Sequence, residues 1–147
     1  RVDPLLPVID EPGALHFRMD LARYAQAALR TDHTIDVITA ISVIEHIPDT
    51  AKPGHPTPLT WFLDAAHRLL RPGGLLVLTT DYWDAEGEDT AHFHWMRKRI
   101  YNAGLIRKLL KDLRDLGFQT FGEGDWGYHG PQVYDYSVCS VAMVKKS

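Results

Sequence analysis

Glu45 and His46 stand side by side at the end of an apolar run, and an imidazole beside a carboxylate can move a proton near neutral pH. The same pair also suits a quieter task, capping and orienting the turn that follows. A second cluster, Tyr82, Trp83, His92, His94, Trp95 and Arg99, spans a stretch rich in aromatic, histidine and charged residues without clean periodicity. It reads as a lid or substrate loop leading into a helix, with packing of Phe93 and Trp95 under that helix as the competing account. Gly122, Gly124 and Gly127 spell GxGxxG. That spacing holds a dinucleotide only where the loop opens a helix, because the phosphates sit on the helix N-terminus. Here the loop runs into Tyr128, His129, Gly130 and Pro131 and then a strand, so the motif is refused, although Trp126, Tyr128 and His129 could still border a ligand. Cys139 is the single cysteine and cannot form an internal disulfide; in its apolar setting it is a small core residue, and a reducing cytoplasm is the simpler compartment.

The elements that must position these groups are legible between Thr34 and Tyr82. Ile35, Val37, Ile38, Ala40, Ile41, Val43 and Ile44 form a nearly continuous apolar run, the pattern of a strand buried on both faces. Thr57 as N-cap and Pro58 at the first helical position open a helix with apolar Leu59, Phe62, Leu63, Ala66, Leu69 and Leu70 on one face. Arg71-Pro72-Gly73-Gly74 stops it, and a second apolar run from Leu75 to Thr79 follows. Strand, crossover helix and strand of this length predict a parallel βαβ unit. Ligands of such sheets sit beyond the carboxyl ends of the strands, so Ser42 to His46 and Thr80 to Trp83 are expected to face one crevice. Pro48 to Pro56 is then a polar loop over it.

Upstream, Leu15, Phe17 and Met19 alternate with His16 and Arg18 as in a half-exposed strand, and Asp20 can cap a short helix from Leu21 to Leu29. Downstream, Asn102 caps a helix with Leu105, Ile106, Leu109, Leu110, Leu113 and Leu116 on one face and Gly117 just past its end. Phe118 to Phe121 and Tyr134 to Val144 are predicted as two closing antiparallel strands. With 147 residues and 45% hydrophobic composition the chain is one domain with an ample core. A net charge of -3 argues against a general nucleic-acid binder, and no apolar run approaches the roughly 18 residues of a membrane span.

Asp36 to Ile47, followed by Leu69 to Thr80 with its Leu-Leu-Arg-Pro-Gly-Gly, resembles the middle of a class I S-adenosylmethionine-dependent methyltransferase, closest to the small-molecule O-methyltransferases of the ubiquinone-biosynthesis type. The resemblance implies an α/β fold, a Rossmann-like methyltransferase sheet in the order 3-2-1-4-5-7-6, mostly parallel with an antiparallel C-terminal strand pair. Residues 1–147 would then be a single, partial methyltransferase domain. It further implies S-adenosylmethionine as cofactor, with Asp3 at the ribose, Asp20 and Leu21 at the adenine, and Ala40 and Ile41 passing along it. His46 would be the catalytic base, and Tyr82, Trp83, His92, His94, Trp95 and Arg99 would contact a small-molecule substrate. Neither nucleic acid nor membrane is expected as a partner, and a homo-oligomer is allowed. Glu45, His46, His92 and His94 are also similar to the metal site of RNA 3′-end methyltransferases, but Ser42 stands where that group has a further carboxylate, and no metal is assigned.

The family's first strand and its acidic-x-Gly-x-Gly loop have no counterpart in these residues. Three explanations follow: sequence upstream of Arg1 carries them, another chain supplies them, or the domain is a catalytically silent Rossmann-like partner or regulatory module.

Overall fold

The computed structural model describes residues 34–50, 52–82, 100–122 and 137–147. They form four strands, β1 (Ile35–Ile41), β2 (Leu70–Tyr82), β3 (Phe118–Thr120) and β4 (Ser137–Lys145), and two helices, α1 (Pro58–Leu69) and α2 (Ala103–Asp115). The sheet order is β1-β2-β4-β3. β1 runs parallel to β2, and β4 lies antiparallel between β2 and β3. The parallel β1-α1-β2 unit and the antiparallel closing pair are both as the sequence predicts. So is the succession of strands that the methyltransferase resemblance implies for this half of the sheet.

Local chemistry explains where the helices begin. The Thr57 hydroxyl accepts the Thr60 N–H at 3.1 Å and Pro58 fills the first turn of α1. Asn102 Oδ1 accepts the Leu105 N–H at 2.9 Å and opens α2. Each bond satisfies an amide that the helix itself cannot, worth about 1 kcal/mol. The chain leaves α2 through Gly117, whose φ of 98° lies in the left-handed region where a side chain is strained.

The passage from α1 to β2 is tighter than a simple stop. β2 starts directly at Leu70, opposite Ile35, while Leu75 stands opposite Val37, so residues 71–74 are accommodated against the single Asp36. A Cβ on Gly74 would stand 2.9 Å from the Arg71 carbonyl oxygen and 3.2 Å from that of Asp36. Only glycine fits that approach. The exposed Arg71–Asp36 ion pair spans the irregularity and contributes little by itself.

One sheet face carries the core. Across the strands Ala40, Leu78 and Val141 line up, with Leu76 beside Met143 and Thr80 beside Cys139. Leu59, Leu63 and Ala66 of α1 and Ile106, Leu109, Leu110 and Leu113 of α2 pack with them in one cluster. Both helices therefore cover the same face.

The opposite face departs from expectation. β1 is not buried on both sides: Val37 is 50% exposed and Ile41 59%. Alternation turns Ile38 and Ala40 toward the helices and Val37, Thr39 and Ile41 away from them. No described helix covers that second face. An apolar run shows that a strand wants cover on both sides; it does not show what supplies it.

Candidate functional site

The carboxyl ends of the parallel strands β1 and β2 lie together, with Ile41 paired to Thr79 as the last step of their ladder. Ser42 follows with φ 49°, and it is the one residue other than glycine with a positive φ among those described. Its N–H finds no strand partner and donates instead to the Thr79 Oγ1 at 3.0 Å. The chain then closes a single 3₁₀ turn over Ile44–His46, with the His46 N–H donating to the Val43 carbonyl at 3.0 Å. This turn is fixed from below by Ile44, fully buried, and Glu45, 2% exposed. His46 remains exposed at its end.

Neighbours in sequence thus take opposite directions. Glu45 turns inward, close enough to Cys139 that its charge, second to burial, helps push the thiol up to about 11. The thiol is consequently protonated and inert, as its apolar surroundings predict. The Thr80 hydroxyl, opposite Cys139 in the ladder, is buried without a hydrogen-bond partner among the described residues. His46 turns outward, the side of the turn that a ligand can reach.

The loop after the turn is anchored at its base. Asp49 accepts from the Thr57 hydroxyl at 3.0 Å and lies 3.6 Å from the Lys108 ammonium, so loop, α1 and α2 meet at one carboxylate. Lys108 is held above the ordinary lysine range, mainly by its hydrogen bond to Asp112 and further by the charge of Asp49. Beside it, the Leu59 N–H donates to the Pro48 carbonyl at 3.3 Å.

At the end of β2, Asp81 and Tyr82 are buried. The Tyr101 N–H donates to the Asp81 carbonyl at 2.9 Å, and Tyr82 and Tyr101 form a parallel bridge. Tyr101 therefore adjoins the described sheet right beside the end of β2.

Of the residues singled out in the sequence, Ala40, Ile41, His46 and Tyr82 occur within the described structure, all at the carboxyl ends of β1 and β2 or in the adjoining turn. Ala40 is 4% exposed and turned into the core, whereas Ile41 is open. Asp3, Asp20, Leu21, Trp83, His92, His94, Trp95 and Arg99 lie outside the described residues, as do the strand at Leu15–Met19, the helix at Leu21–Leu29 and most of the Gly122–Gly127 motif. Among the described residues no group of three or more His, Cys, Asp or Glu side chains could hold a metal ion. No described helix is long and apolar enough to cross a membrane. Sequence reasoning misses the Ser42–Thr79 contact, because a serine after an apolar run carries no signal of left-handed backbone.

Comparison with known proteins bears on the family and the fold. A model of the methyltransferase domain family matches residues 2–120. No curated protein matches the sequence. Among solved structures, an O-methyltransferase family protein from Burkholderia thailandensis is 15% identical, with a TM-score of 0.55 over 89% of this chain and 35% of that one. An arsenic(III) S-adenosylmethionine methyltransferase from Chlamydomonas reinhardtii is 17% identical, with a TM-score of 0.53 over 88% of this chain and 42% of its own. The [4+2]-cyclase SpnF is 16% identical, with a TM-score of 0.53 over 86% of this chain and 62% of its own. Identities this low speak for the fold, and the chain spans less than two thirds of each of these structures. The family match covers most of the sequence, and on that ground the chain belongs to the S-adenosylmethionine-dependent methyltransferase family.

Proposed function

We propose that this domain serves methyl transfer from S-adenosylmethionine to a small-molecule acceptor, at a hydroxyl oxygen. The reading rests on the common end of β1 and β2 in a methyltransferase sheet, where the exposed His46 stands in the turn that follows β1 and the buried Tyr82 closes β2. Ile41 and Val43, exposed apolar side chains at that end, offer the kind of surface against which an adenosine ring or a thioether packs. Ala40, with its side chain turned away, leaves clearance there. Asp3 at the ribose and Asp20 with Leu21 at the adenine complete the cofactor assignment.

S-adenosylmethionine supplies a methyl group already activated on a positively charged sulfur. What remains for the protein is to align the acceptor, exclude water and take up the hydroxyl proton. His46 is assigned as the base that accepts this proton. Tyr82, Trp83, His92, His94, Trp95 and Arg99 are assigned to the acceptor. The buried, unbridged Cys139 fits a reducing cytoplasm, and neither nucleic acid nor membrane enters the reading.

Calorimetric titration with S-adenosylhomocysteine tests the cofactor, and absence of binding overturns the proposal. Transfer of labelled methyl groups to a panel of small hydroxylated compounds, sugars among them, tests the reaction. His46→Ala is expected to lower turnover by about 100-fold or more while leaving S-adenosylhomocysteine affinity within about twofold. Equal losses in both would remove His46 from the role of base.

A second reading, a catalytically silent partner module, is favoured by one observation: the apolar face of β1 that no described helix covers. It predicts cofactor-independent association with another polypeptide and no methyl transfer.

A further inference from the structure

We propose that Thr79 is a positioning residue for the ligand crevice: by accepting the Ser42 N–H, its hydroxyl holds the left-handed bend that aims the 42–46 turn at the ligand. Four observations carry this. The β1–β2 ladder ends at Ile41 and Thr79, so Ser42 is the first residue whose amide has no strand to pair with. That amide is satisfied at 3.0 Å by a side chain and not by backbone. Ser42 adopts a backbone conformation that side-chain-bearing residues avoid, with φ 49°. The residues just beyond it divide sharply, Ile44 and Glu45 buried and His46 exposed.

Strained backbone persists where surrounding contacts over-determine it, and such positions cluster at functional sites. Here the contacts act from both sides. Burial of Ile44 and Glu45 fixes the far end of the turn, and Thr79 fixes the near end. Without the hydroxyl, Ser42 has no reason to stay left-handed, and an extended φ at that point would swing Val43 and the following turn away from the strand end. Ile41 and Val43, the apolar surface assigned to the cofactor, flank the bend directly. Thr79 reaches the ligand only through this backbone.

The inference rests on the proposed methyltransferase reading, and two readouts separate their failures. Thr79→Val keeps the shape and the strand preference but removes the acceptor; Thr79→Ser keeps the acceptor. In Thr79→Val the Ser42 amide should exchange with solvent about fivefold faster or more, and affinity for S-adenosylhomocysteine should fall by about 3- to 10-fold, the worth of one hydrogen bond. Thr79→Ser should restore both. Ser42→Gly, which removes the steric cost of the left-handed bend, should fold normally and make S-adenosylhomocysteine affinity less sensitive to Thr79→Val; an undiminished sensitivity would overturn the role of the bend. Unchanged exchange at Ser42 in Thr79→Val overturns the clamp. Faster exchange with unchanged affinity overturns its positioning role. If the unsubstituted chain binds no S-adenosylhomocysteine, the methyltransferase reading fails and the positioning role with it, while exchange still decides whether the clamp exists.

Discussion

The two neighbours of β2 show how differently one sheet can treat its strands. On one side β4 pairs with β2 from Leu75–Val144 through Tyr82–Ser137, with Cys139, Val141 and Met143 buried under the helices. Beyond it β3 closes the sheet, and Phe118 stands edge-to-face with His67 at 5.2 Å between ring centroids. On the other side β1 buries Ala40 but leaves Val37, Ile41 and Val43 open, and ends in a left-handed serine. Both sides leave apolar side chains open, Val138 on β4 and Phe121 after β3 as well as Val37 and Ile41 on β1. What sets the β1 side apart is the left-handed Ser42 at its end, and it is the side that carries the crevice. Local rules are expected to yield where a surface serves a ligand or partner and to hold where it serves only stability.

The largest expected effect tests the stable side. Phe118→Ala should cost about 3–5 kcal/mol in denaturant unfolding, because a fully buried ring is removed from packed surroundings. Ile41→Thr, on the open face of β1, should stay within about 0.5 kcal/mol. Similar losses at the two positions would mean that the sides are not energetically distinct.

A smaller effect is expected at the exit of α2. Gly117→Ala places a Cβ 3.3 Å from the His67 Nε2 at a φ of 98°, and should cost about 1–2 kcal/mol by the same measurement. No loss would show that the bend can relax to negative φ.

The smallest effect is a pH dependence on the same side. Burial, and then the Lys145 charge, hold His67 below its ordinary 6.5, against an opposing pull from Asp64. The unfolded chain therefore takes up this proton more readily than the folded one. Stability from His67 is full above the ordinary value and is lost as pH falls through the depressed folded one. Melting temperature should drop across that window, and His67→Gln should flatten the drop. An identical profile in the variant would assign the acid sensitivity to other groups.

Much of this was legible because its causes are local. Thr57 before Pro58, Asn102 before the periodic leucines and Gly117 after them are chemical signals that act within one turn, and each occupies its expected place. The closing strands were legible too, since their short separation favours antiparallel pairing. The exposure of β1 was not. Val37 and Ile41 look the same in sequence whether a helix covers them or not. The opposite headings of Glu45 and His46 depend on a turn anchored by residues far along the chain, Thr79 above all. The spacing of Gly74 could be read as a helix stop, but its real constraint is the approach of two carbonyls, one from β1.

The Lys145 ammonium donates to the His67 carbonyl at 2.8 Å and to that of Leu70 at 2.7 Å, across 78 and 75 positions of sequence. β4 comes last among the described strands yet lies inside the sheet they form, and among the described residues β3 has no other strand to pair with. Assembly must therefore wait. During synthesis the β1-α1-β2 unit can form early, but the free edge of β2 stays open until residues 137–145 have emerged and found it. Contacts of such long range make for slow folding and a long exposure of that edge to other chains. A domain arranged in this way depends in the cell on whatever shields nascent strands until residues 137–145 arrive.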